Sequence, residues 1–269
     1  MADGIEINDR DVVTVDSIAP GVRGLRILLV NVYAVASPNG WVLIDAGLAM
    51  SDGRIRRWAE SHFGSRKPSA ILLTHGHFDH VGAFPQILDA WDVPVFAHQL
   101  ELPYLRGQKK YPAPDMTAGG GVMSLLAPFY PRGPIDLGDR VQPLPLNGTV
   151  PELDDWKWIH TPGHTDGQVS FFRDSDRTLF VGDAFCTTKQ ESLTAIATQK
   201  PELHGPPAYY TSDWNAAKAS VEILANLKPL CVAPGHGLAM SGADVAPALD
   251  DLAKNFDDLA RPKKTRRAA

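Results

Sequence analysis

Within six residues this chain places three imidazoles and a carboxylate: His75-Gly76-His77-Phe78-Asp79-His80. An apolar run, Ala70–Leu73, leads straight into the stretch and reads as a buried strand that delivers it. Imidazole nitrogen suits zinc, copper and iron, and a carboxylate adds charge and tolerates bridging, so this density of ligands matches a pair of divalent ions. His75 and His77 lie two apart and can meet one ion if the chain is extended there. Asp79 and His80 are adjacent and cannot share a face with both histidines, so a second ion nearby is the simpler reading. The plain alternative is a solvated turn rich in histidine, since the chain has nine histidines in 269 residues.

The rest of the composition narrows the class. At 44% hydrophobic residues, with six Trp and ten Phe, the chain can build a sizeable core. A net charge of -5 argues against nucleic acid, whose binders carry a basic footprint. Two cysteines, Cys186 and Cys231, are too few for a disulfide framework and lack metal-site spacing. Asp3, Glu6 and Asp9 stand where a signal peptide carries positive charge, and no apolar run is long enough for a membrane helix. The expectation is a cytoplasmic protein with a small-molecule substrate and neither a nucleic-acid nor a membrane partner.

Periodicity predicts the element order. A strand is expected around Val12–Ile18, then an apolar run Arg26–Val35 joined to Trp41–Asp45 across Ser37-Pro38-Asn39-Gly40, a hairpin signal. A helix from Ser51 runs through Ile55 and Trp58 to Phe63, and Gly64 stops it. A helix over Val81–Trp91 and a strand Val93–Ala97 follow. Residues of about 101–135 are rich in Pro and Gly, with one short helix at Val122–Leu126; so long an irregular insertion is either a lid or an ornament. Strands are predicted at Asp136–Leu146, Trp156–His160, Val169–Arg173 and Thr178–Val181. A helix capped by Ser212 or Asp213 runs to Leu227, followed by a strand Leu230–Ala233 and an amphipathic helix Val245–Leu259. The whole chain, 1–269, reads as one domain ending in a basic, solvated tail at about 261–269.

Three singletons stand at strand-to-loop ends: His164 in Thr161-Pro162-Gly163-His164-Thr165, Asp183 in Val181-Gly182-Asp183-Ala184, and His236 in Pro234-Gly235-His236-Gly237. Gly and Pro beside each let the backbone turn sharply and hold a ligand at a sheet edge. There is also an internal echo. Val42–Gly47 resembles Leu179–Ala184, and Ile71–Gly76 resembles Cys231–Gly237, with a helix between the paired strands each time. Two ββαβ-like halves packed sheet to sheet would bring these strand ends together.

The set THGHFDH, TPGHT, GDA and PGHG, in this order from about Tyr33 to Gly237, resembles the metallo-β-lactamase-fold hydrolases, in their glyoxalase II-like and lactonase-like branch. The resemblance implies an α/β fold, a four-layer αββα sandwich with a two-metal site at one edge of the sheets. Carried over by position, His75, His77 and His164 bind the first ion, Asp79, His80 and His236 the second, and Asp183 bridges both. Asp45 matches an aspartate that orients the ligand loops. The implied cofactors are two divalent ions, zinc first, with iron or manganese as alternatives. The implied chemistry is attack on a small ester, thioester or lactone carbonyl by a metal-bridging hydroxide, with Asp79 and Asp183 as the catalytic carboxylates.

The chain departs from its branch in places. Where acyl-homoserine lactonases carry a tyrosine, three residues after the bridging aspartate, Cys186 stands; Tyr209 and Tyr210 are substitutes from further along or else a packed pair. About 30 residues follow Gly237, and their basic residues do not match the glutathione-binding region of glyoxalase II one by one. His62, His98, His160 and His204 are assigned structural or solvated roles. Two other classes stay open: a mononuclear non-haem iron dioxygenase on a persulfide-like substrate, and a metal-binding module without turnover.

Overall fold

The computed structural model describes residues 12–118, 126–133, 135–189 and 201–263. It is a mixed α/β sandwich. The first sheet contains β1 (Val12–Ala19), β2 (Val22–Ile27), β3 (Val30–Ser37), β4 (Gly40–Ile44), β5 (Ala70–Leu72), β6 (Val95–Ala97) and β7 (Val141–Pro143), hydrogen-bonded in that order. β1 to β4 pair antiparallel and β4 to β7 parallel. The second sheet runs β13 (Met240–Ser241), β12 (Cys231–Pro234), β11 (Thr178–Gly182), β10 (Val169–Arg173), β9 (Leu153–His160) and β8 (Thr149–Val150).

Alternation along the strands sorts side chains into three cores. On β3 and β4, Val32, Ala34, Trp41 and Leu43 face outward to α1 (Asp52–Phe63) and α3 (Phe84–Trp91). Tyr33, Val35, Val42 and Ile44 face inward, where they meet Phe171 and Phe180 of the second sheet. On the far side, Phe172, Leu179 and Val181 pack under α5 (Trp214–Asn226) and α6 (Val245–Lys254). Period-two strands with apolar residues on both faces need cover on both sides, and the result is helix, sheet, sheet, helix. Each fully buried phenylalanine such as Phe171 or Phe180 contributes about 1.5–3 kcal/mol.

Helix faces follow the same logic. Ile55, Trp58 and Ala59 form the buried stripe of α1, and Phe84, Ile87 and Leu88 that of α3. Asp213 caps α5 by accepting the N–H groups of Asn215 and Ala216, each at 2.9 Å. Ser51 precedes α1 but turns its hydroxyl to the Leu48 carbonyl, 2.6 Å away, rather than capping. Among the described residues no helix is long and apolar enough to cross a membrane.

Four elements differ from the sequence-based expectation. The strand expected at Asp136–Leu146 is a 3-10 turn at Gly138–Arg140 followed by the three residues of β7. The run Arg26–Val35 is broken at Leu28, whose φ of 57° turns β2 back into β3. The helix over Val81–Trp91 is two pieces, α2 (Phe78–Val81) and α3, and at the break the Gly82 N–H donates to Gly47 O at 2.8 Å in place of a helical carbonyl. The last helix also divides, at Asn255, into α6 and α7 (Phe256–Leu259). The insertion contains α4 (Leu102–Leu105) and a 3-10 turn at Ala127–Phe129. Of the short helix expected at Val122–Leu126, all but Leu126 lies outside the described residues, as does the basic tail beyond Lys263.

The echo between halves has a structural counterpart. β4 and β5 are parallel with α1 between them in sequence, and β11 and β12 are parallel with α5 between them. Their C-terminal ends meet. Asn31 donates its backbone N–H to Gly235 O at 2.8 Å, and Val169 N–H donates to Thr74 O at 2.9 Å. The Asn31 amide adds bonds to Pro234 O and Gly237 O, and Tyr33 O–H donates to Pro234 O at 2.6 Å.

Candidate metal centre

The seven side chains singled out by sequence converge at this edge. His75, His77 and His164 form one group, Asp79, His80 and His236 a second, and His75, His80 and Asp183 a third, with ligand atoms in each group within 4.8 Å of one another. Asp183 stands centrally. Its Oδ2 lies 3.5 Å from His164 Nε2 and 3.2 Å from His236 Nε2, and its Oδ1 lies 3.6 Å from His80 Nε2. Asp79 Oδ2 approaches His236 Nε2 at 3.2 Å; its side chain keeps 18% of its surface exposed, against 3% for Asp183. A Cβ at position 235 would run into Asp183 Oδ1 and the His80 ring, so only glycine lets these two close.

The hydrogen bonds around the rings assign their tautomers. Asp45, in the left-handed region at φ 60°, accepts from Thr74 N–H and Thr74 O–H, both at 2.8 Å, and from His80 Nδ1 at 2.8 Å. The Thr74 hydroxyl, having donated to Asp45, accepts from His75 Nδ1 at 3.1 Å. His236 Nδ1 donates to Leu29 O at 2.7 Å. His164 Nδ1 faces Thr211 Oγ1, which itself donates to Pro207 O. In each case the outer nitrogen holds the ring, and Nε2 is aimed at the centre.

That centre fits cations. His75 Nε2, His80 Nε2 and Asp183 Oδ1 are buried without a hydrogen-bond partner, a costly state for polar atoms unless something else satisfies them. His77 Nδ1 and His164 Nε2 face each other at 2.8 Å, where two lone pairs repel unless a proton or cation lies beside them. Burial holds His75, His77 and His164 below the ordinary imidazole value, His164 at about 4, which keeps them neutral as ligands must be. Burial also opposes charge on His80 and His236, but carboxylates outweigh it: Asp45 and Asp183 raise His80 to about 9, and Asp183 and Asp79 raise His236 well above 6.5. Asp183 resists its own burial through His236 and His80, which hold it far below the usual carboxylate range. Protons on these two rings thus occupy a place that divalent charge suits better.

The sequence profile of the metallo-beta-lactamase superfamily matches residues 25–236, which spans every one of these side chains. The chain belongs to the metallo-beta-lactamase superfamily. Within that superfamily it is similar to the probable metallo-hydrolase YflN of Bacillus subtilis (strain 168), 45% identical over 245 residues, covering 90% of this chain and 93% of YflN. Among solved structures it resembles TTHA1623 in a di-iron-bound form, with a TM-score of 0.56, 28% identity, and coverage of 86% of this chain and 93% of that one. It also resembles the B3 metallo-beta-lactamase BLEG-1, with a TM-score of 0.55, 25% identity, and coverage of 79% and 88%.

On this superfamily frame the chain carries a residue that sequence reasoning missed. Glu101 is fully buried at the start of α4. Its Oε2 accepts Gly76 N–H at 3.0 Å and the Tyr111 hydroxyl; its Oε1 accepts Thr165 O–H at 2.7 Å and Gly167 N–H at 2.9 Å. One carboxylate therefore ties together the loop carrying His75 and His77, the loop carrying His164, and the insertion. A Cβ on residue 167 would collide with Glu101, which explains the glycine there. Burial raises the Glu101 pKa, and the four donors oppose the rise. No short-range signal marks Glu101, because its partners lie 10, 25, 64 and 66 residues away.

Tyr210 packs its ring 4.9 Å from His77, while its hydroxyl donates to Ala127 O at 3.3 Å. Tyr209 stacks edgewise on Tyr210 at 5.2 Å. Cys186 is buried, and its backbone pairs with His204 in an isolated bridge. His98 and His160 stack at 4.3 Å. His62 lies on α1 with Nδ1 facing Trp58 O.

Proposed function

We propose that this chain is a metal-dependent hydrolase of a small ester, thioester or lactone. In this reading His75, His77 and His164 hold one divalent ion, Asp79, His80 and His236 a second, and Asp183 serves both. The observation that carries it is the convergence of seven side chains from two sheets, with His75 Nε2, His80 Nε2 and Asp183 Oδ1 among them buried and without a hydrogen-bond partner. When bound, two such ions supply a water of lowered pKa as nucleophile and positive charge for a developing oxyanion.

The chain's own residues do the rest. Asp45 and Leu29 O fix the two rings His80 and His236 that face the Asp79 side. Asp79, the carboxylate of the set with solvent access, is placed to take up and release a proton during turnover. Glu101 keeps the first ligand group in register, and the rings of Tyr111 and Tyr210 shield it from water. Zinc is the proposed metal. Iron is the variant favoured by the likeness to TTHA1623 in its di-iron form. The substrate is a small molecule, and the glyoxalase II-like and lactonase-like branch is the proposed placement within the superfamily.

Metal analysis with reconstitution is the test. The expected result is close to two ions per chain, turnover on an ester, thioester and lactone panel, and loss of most of it in Asp183→Ala. One iron per chain with oxygen uptake would replace this reading by the dioxygenase, and two ions without turnover would replace it by a binding module.

A further inference from the structure

We propose that the substrate presents an uncharged, flat apolar group, such as an aryl ring, to a tyrosine-walled pocket beside His77 and His164. The inference rests on the hydrolase reading and narrows its substrate class. The pocket has a volume of about 330 Å³ and opens directly on the first ligand group. One wall is Tyr104 stacked on Tyr111, with centroids 4.0 Å apart and planes 5° from parallel; the Tyr111 ring then meets His77 at 4.5 Å. Another is the Tyr209 and Tyr210 pair, with Tyr210 4.9 Å from His77.

Two phenols of these walls are already committed. Tyr111 gives its hydroxyl proton to Glu101, and Tyr210 gives its own to Ala127 O. What they offer a ligand is ring carbon rather than a hydrogen bond. Aromatic faces favour offset or edgewise contact with another flat group, worth about three- to tenfold in affinity per contact.

Charge points the same way. Among the described residues lining the pocket, the ionisable carboxylates are Asp115 and Asp166, and no lysine or arginine is present. Asp115 Oδ1 also accepts the N–H and hydroxyl of Thr117. Lys109 lies 5.0 Å over the Tyr104 ring but outside the lining. Beside Asp115 and Asp166, away from the ion that the hydrolase reading places on His77 and His164, a ligand carboxylate would meet like charge, offset at Asp166 only by Lys109, so substrates that put an anionic group there are selected against.

The test uses the full-length metal-loaded protein and thioesters of one neutral thiol, so that only the acyl group varies: acetyl, phenylacetyl, 4-carbamoylphenylacetyl and 4-carboxyphenylacetyl. Binding of phenylacetamide by calorimetry supplies a readout without turnover. The expected result is a kcat/KM for phenylacetyl about tenfold above acetyl, and a fall of about tenfold or more from carbamoyl to carboxyl. Phenylacetamide binds, Tyr210→Ala weakens it about three- to tenfold, and Tyr210→Phe, which keeps the ring, leaves it within about twofold. Equal rates for phenylacetyl and acetyl, or a carboxyl compound that matches the carbamoyl one, overturn the inference while the hydrolase reading stands. Binding of phenylacetamide with the Tyr210 effects but no turnover of any thioester supports the pocket and overturns the hydrolase reading. Absence of both turnover and binding overturns the two together.

Discussion

Replacing Glu101 by Gln changes one oxygen for an NH2 and removes one charge at a point where four donors converge. The two hydroxyls, on Tyr111 and Thr165, can rotate and accept from the new amide. The two backbone N–H groups cannot. Gly76 N–H faces Oε2 and Gly167 N–H faces Oε1, so either orientation of the amide sets NH2 against one of them. A buried donor left without an acceptor costs about 1–3 kcal/mol, and the remaining bonds lose their charge assistance, about 1 kcal/mol more. Relief from burying a carboxylate offsets part of this, since burial already raises the Glu101 pKa. The net expectation is a destabilisation of about 2–3 kcal/mol. Urea unfolding of the metal-stripped protein should show a lower midpoint at unchanged slope. Chelator competition on the reconstituted protein should show weaker binding of the ion assigned to His75, His77 and His164, because Gly76 and Thr165 flank these residues. An unfolding free energy within about 0.5 kcal/mol of the parent, with metal affinity unchanged, would refute the claim that this carboxylate sets the loops.

Asp45→Asn keeps the shape but removes the acceptor that holds His80 Nδ1–H, and chelator competition should show metal affinity down by about 10- to 100-fold. Gly235→Ala drives a methyl into Asp183 and His80, and should cost about 1–3 kcal/mol in urea unfolding together with loss of metal binding. His98 is buried against His160, and burial, with His160 adding, holds it at about 4 rather than 6.5. The folded form thus binds fewer protons than the unfolded one in that window, so its stabilising share is lost as pH falls from about 6.5 to about 4. Over that range the parent should lose more stability than His98→Phe, as read by paired urea titrations.

The sandwich was legible because its signals are local. Strand alternation at Val32–Val35 and Trp41–Ile44 shows which residues face a helix and which face the other sheet. The repeated strand-then-ligand pattern at Asp45, His75, Asp183 and His236 marks four strand ends that must share an edge. What stayed hidden depends on partners far away in sequence. The turn at Leu28 has no glycine, proline or asparagine at its pivot; the hairpin is imposed by β2 and β3 pairing, and Leu28 takes a positive φ to allow it. At the break after Val81, Gly82 bonds back to Gly47. Glu101 reads as one acid in a Pro/Gly-rich insertion, and only the folded chain shows two loops and a tyrosine hanging from it. Tyr210 was visible as a residue, but the direction of its phenol, away from the centre and toward Ala127, was not.

Four of the seven converging side chains follow β5 in the first sheet, and three follow β9, β11 and β12 in the second. The centre therefore spans a seam. If one sheet slides or tilts against the other, the separations His164–Asp183 and His80–Asp183 cannot both be kept, since one lies within a sheet and the other crosses between them. The inter-sheet layer of Phe171, Phe180, Val35 and Ile44 acts as the bearing that sets this alignment. Wear in that bearing, such as a cavity left by trimming Phe180, would be felt at the seam as a looser grip on whatever the seven hold, with every one of them still in place.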